Sequence, residues 1–241
     1  MTLRPYHWWR TVFFLIPAIG LYTIVLGLVS LVSTIFDARG GAAHRCARLW
    51  SFLILKTTGV QVRTNGSRPA LAAGSYVFAS NHQSIYDIPV LFWTVPNDLR
   101  IIAKASLGAF PFIGWHLRRA GHLLVDRGSP GAAVLKKMRR MVSDGASLIV
   151  FPEGTRSADG RVGRFKGGVF LLAIESGLPI VPISVSGSRH VMRKGRLMTC
   201  PGVVDVTIHP PIPTAGLTRD DARALADRVR GIVAAGVASG D

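Results

Sequence analysis

The N-terminal part of the chain is dominated by one long run of apolar positions. Residues 11–36 carry no charged side chain, and a helix over these 26 residues, at about 1.5 Å per residue, exceeds the roughly 30 Å apolar thickness of a bilayer. The run is much longer than the apolar core of a signal peptide. The pattern predicts a membrane-associated helix, with a helix buried in a soluble core as the alternative. Pro17, Gly20 and Gly27 leave open whether it crosses the bilayer or enters it only partway.

A second segment, residues 42–59, mixes basic residues with Trp50 and several large aliphatic side chains. That mixture is typical of a helix at a membrane interface, although a helix packed on the following domain would look the same. The basic residues Arg39, Arg45, Arg48 and Lys56 follow the first apolar run, whereas only Arg4 and Arg10 precede it. If the first run spans the membrane, this bias places the remainder of the chain in the cytosol, since basic residues concentrate on the cytosolic side of membranes. Residues 1–58 are therefore predicted to be membrane-anchoring helices.

From Val60 onward, short apolar runs of strand length alternate with stretches of helical pattern. Strands are predicted at residues 60–64, 76–80, 100–104, 122–126, 147–151, 180–186 and 203–209. Several of these runs are apolar at nearly every position, which is typical of strands buried on both faces of a sheet. The alternation predicts an α/β domain over residues 59–241, with a mostly parallel or mixed sheet flanked by helices.

The charge balance favours an anionic partner. Lysine and arginine number 29 against 13 acidic residues, which gives a net charge of +16. Nucleic acid, an anionic membrane and phosphorylated substrates all fit this charge. Because no nucleic-acid-binding motif is present, a lipid membrane is expected and nucleic acid is not. The segment "LKKMRRM", residues 135–141, forms either a contact with anionic lipid or a solvated helix face.

Candidate catalytic residues follow the strand predicted at 76–80. The stretch "NHQSIYD" places His82 five residues before Asp87. These side chains can meet only if His82 lies in a loop and Asp87 in or before the first turn of a helix. Pro89 fits that arrangement, since proline is tolerated near a helix start. Asp87 is then the partner of a histidine base, a helix N-cap, or both.

A second polar stretch, "FPEGTRS" at residues 151–157, follows another predicted strand. Its glycine permits close approach of a ligand to the backbone, and Arg156 offers a planar fork for phosphate. A plain polar turn after a strand is the alternative. Lys104 ends one predicted strand and Arg127 directly follows another, so both belong at the same sheet edge or are solvated strand ends.

Four blocks in this order resemble the signature blocks of the 1-acylglycerol-3-phosphate acyltransferase family. They are "NHQSIYD" (81–87), "KASLGAFPFIGWHLRRAGHLLVDR" (104–127), "FPEGTRS" (151–157) and "LPIVPISV" (178–185). The resemblance covers roughly residues 60–214. It implies direct transfer of a fatty acyl group from acyl-CoA or acyl carrier protein to the free hydroxyl of a lysophospholipid, 1-acylglycerol-3-phosphate, giving phosphatidic acid without an acyl-enzyme.

The resemblance also implies a role for each site residue. His82 would be the base and Asp87 the residue that fixes its tautomer. The residues implied in binding the acceptor and its phosphate are Lys104, Arg127, Glu153, Gly154, Thr155 and Arg156, with Glu153 orienting Arg156 or Lys104 or binding glycerol oxygens. Ser84 and Pro182 would line the acyl pocket or serve the fold. No residue set has metal-ligand spacing, so neither a metal nor another cofactor is expected beside the acyl-CoA or acyl carrier protein co-substrate.

Alternative functions remain at this point. Another lysolipid, such as a different lysophospholipid or a lyso-aminolipid, would suit the same chemistry. A hydrolase using Ser84 or Ser80 beside His82 lacks the G-x-S-x-G turn of such enzymes. A non-catalytic basic membrane-binding protein would not need the pair of His82 and Asp87.

Overall fold

The short apolar runs form the strands of one mixed sheet. The structure, a computed structural model, describes residues 5–37, 39–66, 74–109, 113–125 and 132–238. The strands are β1 Val60–Gly66, β2 Val77–Ser80, β3 Leu99–Lys104, β4 Leu123–Val125, β5 Ser147–Val150, β6 Ile180–Ser186 and β7 Gly202–Ile208. The helices are α1 Pro5–Arg10, α2 Ile16–Phe36, α3 Gly41–Thr58, α4 Asp87–Thr94, α5 Ile113–Arg119, α6 Ala132–Ser143, α7 Gly168–Ser176, α8 Ser188–Val191 and α9 Ala222–Ala238.

The order of strands brings distant loops together. Within the described residues the order is β1-β7-β6-β2-β5-β3-β4. The five strands from β6 to β4 run parallel, whereas β7 is antiparallel to β6 and β1 is parallel to β7. The prediction of a mixed α/β sheet is confirmed. Since the carboxyl ends of parallel strands share one edge, the loops after β2, β5 and β6 lie side by side.

Two layers of helices cover the sheet. Val77 and Ala79 of β2 pack into a core formed with α6, α7 and α9. Phe78, between them in sequence, points to the other face and packs with residues of α3 and α4. This alternation follows from the two-residue period of a strand, and burial on both faces explains why β2 is apolar along most of its length.

The first apolar run forms a helix that is long and apolar enough to cross a membrane. Helix α1, a π-helical stretch at Thr11–Leu15 and α2 are continuous over Tyr6–Phe36, 31 residues in all. Its large apolar side chains are mostly exposed, including Leu21 at 60%, Ile24 at 64% and Leu28 at 52%. Such a face is not the buried face of a core helix, which argues against the soluble alternative.

Both ends of this helix contact the α/β domain. Near its start, Arg10 donates a hydrogen bond of 2.7 Å to the carbonyl of Thr58. Beyond its end, the carbonyl of Arg39 accepts one of 2.7 Å from the buried guanidinium of Arg100. Gly40 is required there, because it has φ 79° and a Cβ atom would lie 2.8 Å from that guanidinium. The helix therefore lies along the domain.

Helix α3 combines the two roles left open by its sequence. Ile54 and Leu55 are buried in the same core as Phe78, whereas Leu49 and Phe52 remain exposed. The core of the α/β domain thus extends across the boundary expected at residue 58. Because α3 packs inside that core, its removal would expose apolar surface of the domain as well as remove an anchor.

Candidate active site

His82 and Asp87 form a direct pair at the carboxyl end of β2. The Nδ1 atom of His82 lies 2.7 Å from Oδ2 of Asp87. The same oxygen accepts backbone hydrogen bonds from Gln83 at 2.7 Å and Ser84 at 2.9 Å. Asp87 is fully buried as the first residue of α4. Asp87 therefore organises the turn before the helix and holds the histidine ring. The N-cap of α4 is Tyr86, and Asp87 accepts N–H groups that precede the helix, so the expectation that Asp87 caps the helix is wrong, whereas its pairing with His82 is present.

The geometry of the pair leaves one ring nitrogen of His82 available as a base. A carboxylate accepts hydrogen bonds and does not donate them, so Nδ1 carries the proton and Nε2 carries the lone pair. The His82 side chain is 16% exposed and its ring stacks on Phe151, with centroids 4.0 Å apart. The ring is thus held by a hydrogen bond on one edge and an aromatic contact on one face.

Glu153 fixes the backbone of His82 from the neighbouring loop. Its Oε1 accepts the backbone N–H of His82 at 2.9 Å, and its Oε2 accepts that of Gly163 at 3.0 Å. Burial raises the pKa of Glu153, although these two hydrogen bonds favour its ionised form. In addition, the His82 carbonyl accepts the N–H of Ser157 at 2.7 Å. The sequence did not suggest this positioning role; its expected contacts with Arg156, Lys104 or glycerol stay predictions.

The turn after β5 is surrounded by lysines. Gly154 has φ 73°, and a Cβ atom there would lie 2.7 Å from Nζ of Lys166. The ammonium group of Lys194 donates hydrogen bonds to Oγ1 of Thr155 at 3.1 Å and to the carbonyl of Arg156 at 2.8 Å. These two lysines add positive charge beside the half-buried side chain of Arg156. Such a concentration of donors around an exposed turn suits a phosphate group.

Neither lysine was expected from the sequence, although the sequence contained a signal for one of them. Lys194 lies in the basic run "MRKGR", residues 192–196, shortly after β6. The same rule that drew attention to the ends of β2 and β5 applies to β6, whose carboxyl end meets the same edge.

Three further residues expected at the site are Lys104, Arg127 and Pro182. Lys104 is the last residue of β3, at the sheet edge formed by the carboxyl ends of the parallel strands. Its side chain and the whole of Arg127 lie outside the part of the chain that the structure describes. Pro182 is buried in β6 opposite Ala79, which gives it a place in the sheet.

The two serines of the hydrolase alternative are engaged elsewhere. Ser84 donates its hydroxyl hydrogen to the carbonyl of Met192 at 2.7 Å, and Ser80 donates to that of Asn81 at 3.0 Å. Both serines are fully buried. Neither hydroxyl is presented to a substrate, which argues against a serine nucleophile at this site.

Comparisons with known proteins agree with this geometry. The model of the Acyltransferase family matches residues 60–186, just over half of the chain. A chloroplastic 1-acyl-sn-glycerol-3-phosphate acyltransferase of Brassica napus is 40% identical over 191 residues, covering 75% of this chain and 54% of its own length. The human 1-acyl-sn-glycerol-3-phosphate acyltransferase alpha is 35% identical over 175 residues, covering 71% of this chain and 62% of its own. The chain thus spans between half and two thirds of the length of these curated relatives.

A solved structure has the same fold over nearly the whole chain. The 1-acyl-sn-glycerophosphate acyltransferase PlsC of Thermotoga maritima matches with a TM-score of 0.73 and 26% identity, covering 92% of this chain and 94% of that one. The matched family segment contains the strands β2, β5 and β6 and the loops that carry His82, Asp87 and Glu153. The chain therefore belongs to the acyltransferase family.

Proposed function

We propose that this protein transfers a fatty acyl group from an acyl thioester to the free hydroxyl of 1-acylglycerol-3-phosphate, giving phosphatidic acid. The observation that carries the proposal is the 2.7 Å bond between His82 and the buried Asp87, which leaves Nε2 of His82 as a base beside a basic turn. The similarity to 1-acyl-sn-glycerol-3-phosphate acyltransferases of Brassica napus and human supports the choice of acceptor.

The pair supports a direct transfer. Nε2 of His82 removes the proton of the acceptor hydroxyl while the oxygen attacks the thioester carbonyl. The tetrahedral intermediate then collapses, the carbon–sulfur bond breaks, and the departing thiolate takes the proton from the imidazolium. Asp87 stabilises that imidazolium and fixes the tautomer that precedes it, as the aspartate of a catalytic triad does. A positioned base contributes roughly 10²–10⁴-fold to the rate.

The basic turn places the acceptor relative to His82. Arg156 lies on the loop after β5, and Lys194 packs against that loop. The phosphate of the acceptor would bind between these two residues. By family resemblance, Lys104 and Arg127 complete this set, with Gly154 and Thr155 shaping the pocket. Holding the phosphate aims the hydroxyl at His82. Orientation of this kind lowers the activation free energy by several kcal/mol, and by at most about 7–11 kcal/mol in ideally oriented systems.

The apolar helix associates the protein with a membrane, and its contacts indicate how. A helix that crossed the bilayer would have its ends on opposite sides, about 30 Å apart. The ends of this helix are instead tied to one domain, through Arg10 to Thr58 and through Arg39 to Arg100. We infer that the exposed face of α2 enters the lipid while the domain rests on the surface. We place that surface on the cytosolic side, because the net charge of +16 suits the anionic lipids of the cytosolic leaflet.

A panel of lysolipids tests the proposed acceptor. Purified full-length protein in mixed micelles is given a labelled acyl donor with 1-acylglycerol-3-phosphate, lysophosphatidylcholine, lysophosphatidylethanolamine or a lyso-aminolipid. We expect 1-acylglycerol-3-phosphate to give the highest kcat/KM, because its phosphate monoester reaches the basic turn without a covering headgroup. Arg156→Ala should reduce the difference in kcat/KM between 1-acylglycerol-3-phosphate and the other acceptors. Equal or better use of a zwitterionic lysolipid by the wild-type protein would refute the assignment.

A further inference from the structure

A basic cleft of about 630 Å³ lies beside the catalytic loop. It is lined by three guanidinium groups, from Arg161, Arg189 and Arg230, and by one carboxylate, from Asp159. His190 also lines it. The surplus of positive charge gives the cleft the character of an anion site. None of these residues takes part in the mechanism described above.

Two of the arginines are held in place by backbone carbonyls. Arg230 donates hydrogen bonds to Gly163 at 2.9 Å and to Val162 at 3.2 Å, and Arg189 donates one to Ala158 at 2.9 Å. A guanidinium has five N–H donors, so each retains donors for a ligand. Because these side chains are already ordered, an anion binding to them loses less conformational entropy than one binding to free side chains.

The carboxylate in the cleft does not cancel this charge. Asp159 accepts hydrogen bonds from the backbone of Arg161 at 3.0 Å and from the hydroxyl of Ser157 at 3.0 Å, and its Oδ2 lies 3.9 Å from Nε of Arg161. The hydrogen bond from the Arg161 backbone is the main cause of the lowered pKa of Asp159. Its carboxylate therefore stays ionised and stabilises the turn. Arg161 itself is 92% exposed, and its guanidinium is therefore accessible to a ligand.

Gln83 separates the cleft from the catalytic pair. Its side chain lines the cleft and donates a 2.9 Å hydrogen bond to the carbonyl of Gly160. Its backbone N–H donates to Asp87, and it directly follows His82 in the sequence. A ligand whose anionic group lies in the cleft is thus adjacent to Gln83, the residue that follows His82. Such a ligand must carry its reactive group at a distance from its charge.

The apolar part of the cleft lies on the face of the sheet that is turned away from α2. Its apolar lining comes from Val162 and from Ala234 and Val237 of α9, and α9 packs on the face occupied by α6 and α7. Helices α2 and α3 cover the opposite face. A lysolipid arrives from the side of the exposed apolar helix, so the cleft is placed for the substrate that arrives from water.

We propose that this cleft binds the phosphate of the phosphopantetheine arm carried by the acyl donor, with the arm passing Gln83 to bring the thioester to His82. The inference rests on the proposed function, because that reaction requires a water-soluble acyl thioester. The apolar lining accommodates the dimethyl part of the arm, and the arginines bind its phosphate by charge-assisted hydrogen bonds. Coenzyme A and acyl carrier protein share this phosphopantetheine phosphate, and the test separates them.

The test compares donors with and without phosphate. Initial rates at saturating 1-acylglycerol-3-phosphate are measured with acyl-CoA, acyl carrier protein loaded with the same chain, and acyl-pantetheine. The variants are Arg161→Ala/Arg189→Ala and Arg161→Glu, the latter leaving the bond of Arg189 to Ala158 intact. Arg228→Ala is the matched control, because Arg228 is exposed on α9 and does not line the cleft. Titration of the same proteins with coenzyme A alone reports binding without the reaction.

We expect both cleft variants to lower the preference for phosphate-bearing donors over acyl-pantetheine by about 5- to 30-fold, and Arg228→Ala to leave it unchanged. The affinity for coenzyme A should fall by a similar factor and should depend on salt. A fall for both donors supports the proposal, because they share the phosphopantetheine phosphate. A fall for acyl-CoA alone contradicts it and assigns the cleft to the phosphates of the nucleotide. An unchanged preference with unchanged affinity for coenzyme A would overturn the proposal. Absence of acyl transfer by the wild-type protein would instead refute the proposed function.

Discussion

The hydrogen bonds of Asp87 allow its effect on the fold to be separated from its effect on the reaction. Its Oδ2 accepts bonds from His82, Gln83 and Ser84, whereas its Oδ1 is buried and makes no hydrogen bond among the described residues. In Asp87→Asn the amide oxygen can take the place of Oδ2, so the turn is kept and only the charge is lost. In Asp87→Ala two buried N–H groups lose their acceptor, at about 1–3 kcal/mol each, which destabilises the protein by about 2–6 kcal/mol.

The loss of charge in Asp87→Asn acts on catalysis. The imidazolium that forms when His82 takes a proton loses its counter-charge, and the tautomer with the proton on Nδ1 is no longer enforced. The corresponding change in a serine protease triad lowers kcat by about 10⁴. We therefore expect Asp87→Asn to lower kcat by about 10²–10⁴, which corresponds to about 3–5 kcal/mol in the activation free energy.

The assay combines initial rates of phosphatidic acid formation with thermal unfolding followed by circular dichroism. Asp87→Asn should unfold near the wild-type temperature, whereas Asp87→Ala should unfold at a lower one. The double variant His82→Ala/Asp87→Asn should be no slower than His82→Ala, because residues acting as one unit are not additive. A rate for Asp87→Asn above about a tenth of the wild-type rate would refute this role of Asp87, as would a double variant whose loss of rate equals the product of the two single losses.

Three further predictions concern the phosphate, the membrane and pH. Arg156→Ala should raise KM for 1-acylglycerol-3-phosphate by about 10- to 100-fold, since a hydrogen bond to a charged group contributes roughly 1.5–3 kcal/mol. Replacement of the exposed Leu21, Ile24 and Leu28 by serine should weaken vesicle binding by about 100-fold, from about 1 kcal/mol of apolar burial per partly exposed side chain, as measured by sedimentation. Burial lowers the pKa of His44 to about 4, so the fold holds it neutral. The free energy of unfolding should therefore be unaffected by His44 above pH 6.5. It should fall by about 3 kcal/mol as the pH drops towards 4, as measured by denaturant titration.

Each of these predictions has a control. Arg164→Ala changes an exposed arginine in the same region and should leave the acceptor KM unchanged. The triple serine variant should keep its unfolding temperature; unaltered vesicle binding would show that α2 does not enter the lipid. For His44, the Leu99 N–H that bonds its Nδ1 can bond a glutamine oxygen instead, so His44→Gln should remove part of the pH dependence. An identical pH profile would exclude His44 as its source.

The sheet and the contact between His82 and Asp87 could be predicted from local sequence. Strands buried on both faces appear as apolar runs, and all seven were located within two residues of their ends at the described positions. His82 and Asp87 are five residues apart, and Pro89 limited the start of α4. Contacts over so short a distance follow from local backbone geometry.

The contacts that the sequence did not reveal depend on the order of strands. Glu153 reaches His82 only because β5 lies beside β2, and Lys194 reaches Thr155 because β6 lies on the other side. Strand order is set by the packing of the whole domain and leaves no local signal. The docking of the N-terminal helix is similar, since Arg10 and Thr58 are 48 residues apart.

The central claim, that His82 is the base of an acyl transfer to 1-acylglycerol-3-phosphate, is tested most directly by one comparison. Wild-type protein and His82→Ala, in equal amounts and with equal unfolding temperatures, are incubated with 1-acylglycerol-3-phosphate and an isotopically labelled acyl donor, and labelled phosphatidic acid is quantified by mass spectrometry. We predict product from the wild-type protein and a rate at least about 100-fold lower from His82→Ala, the minimum for a positioned base. Labelled phosphatidic acid formed by His82→Ala at more than about a tenth of the wild-type rate would contradict the claim.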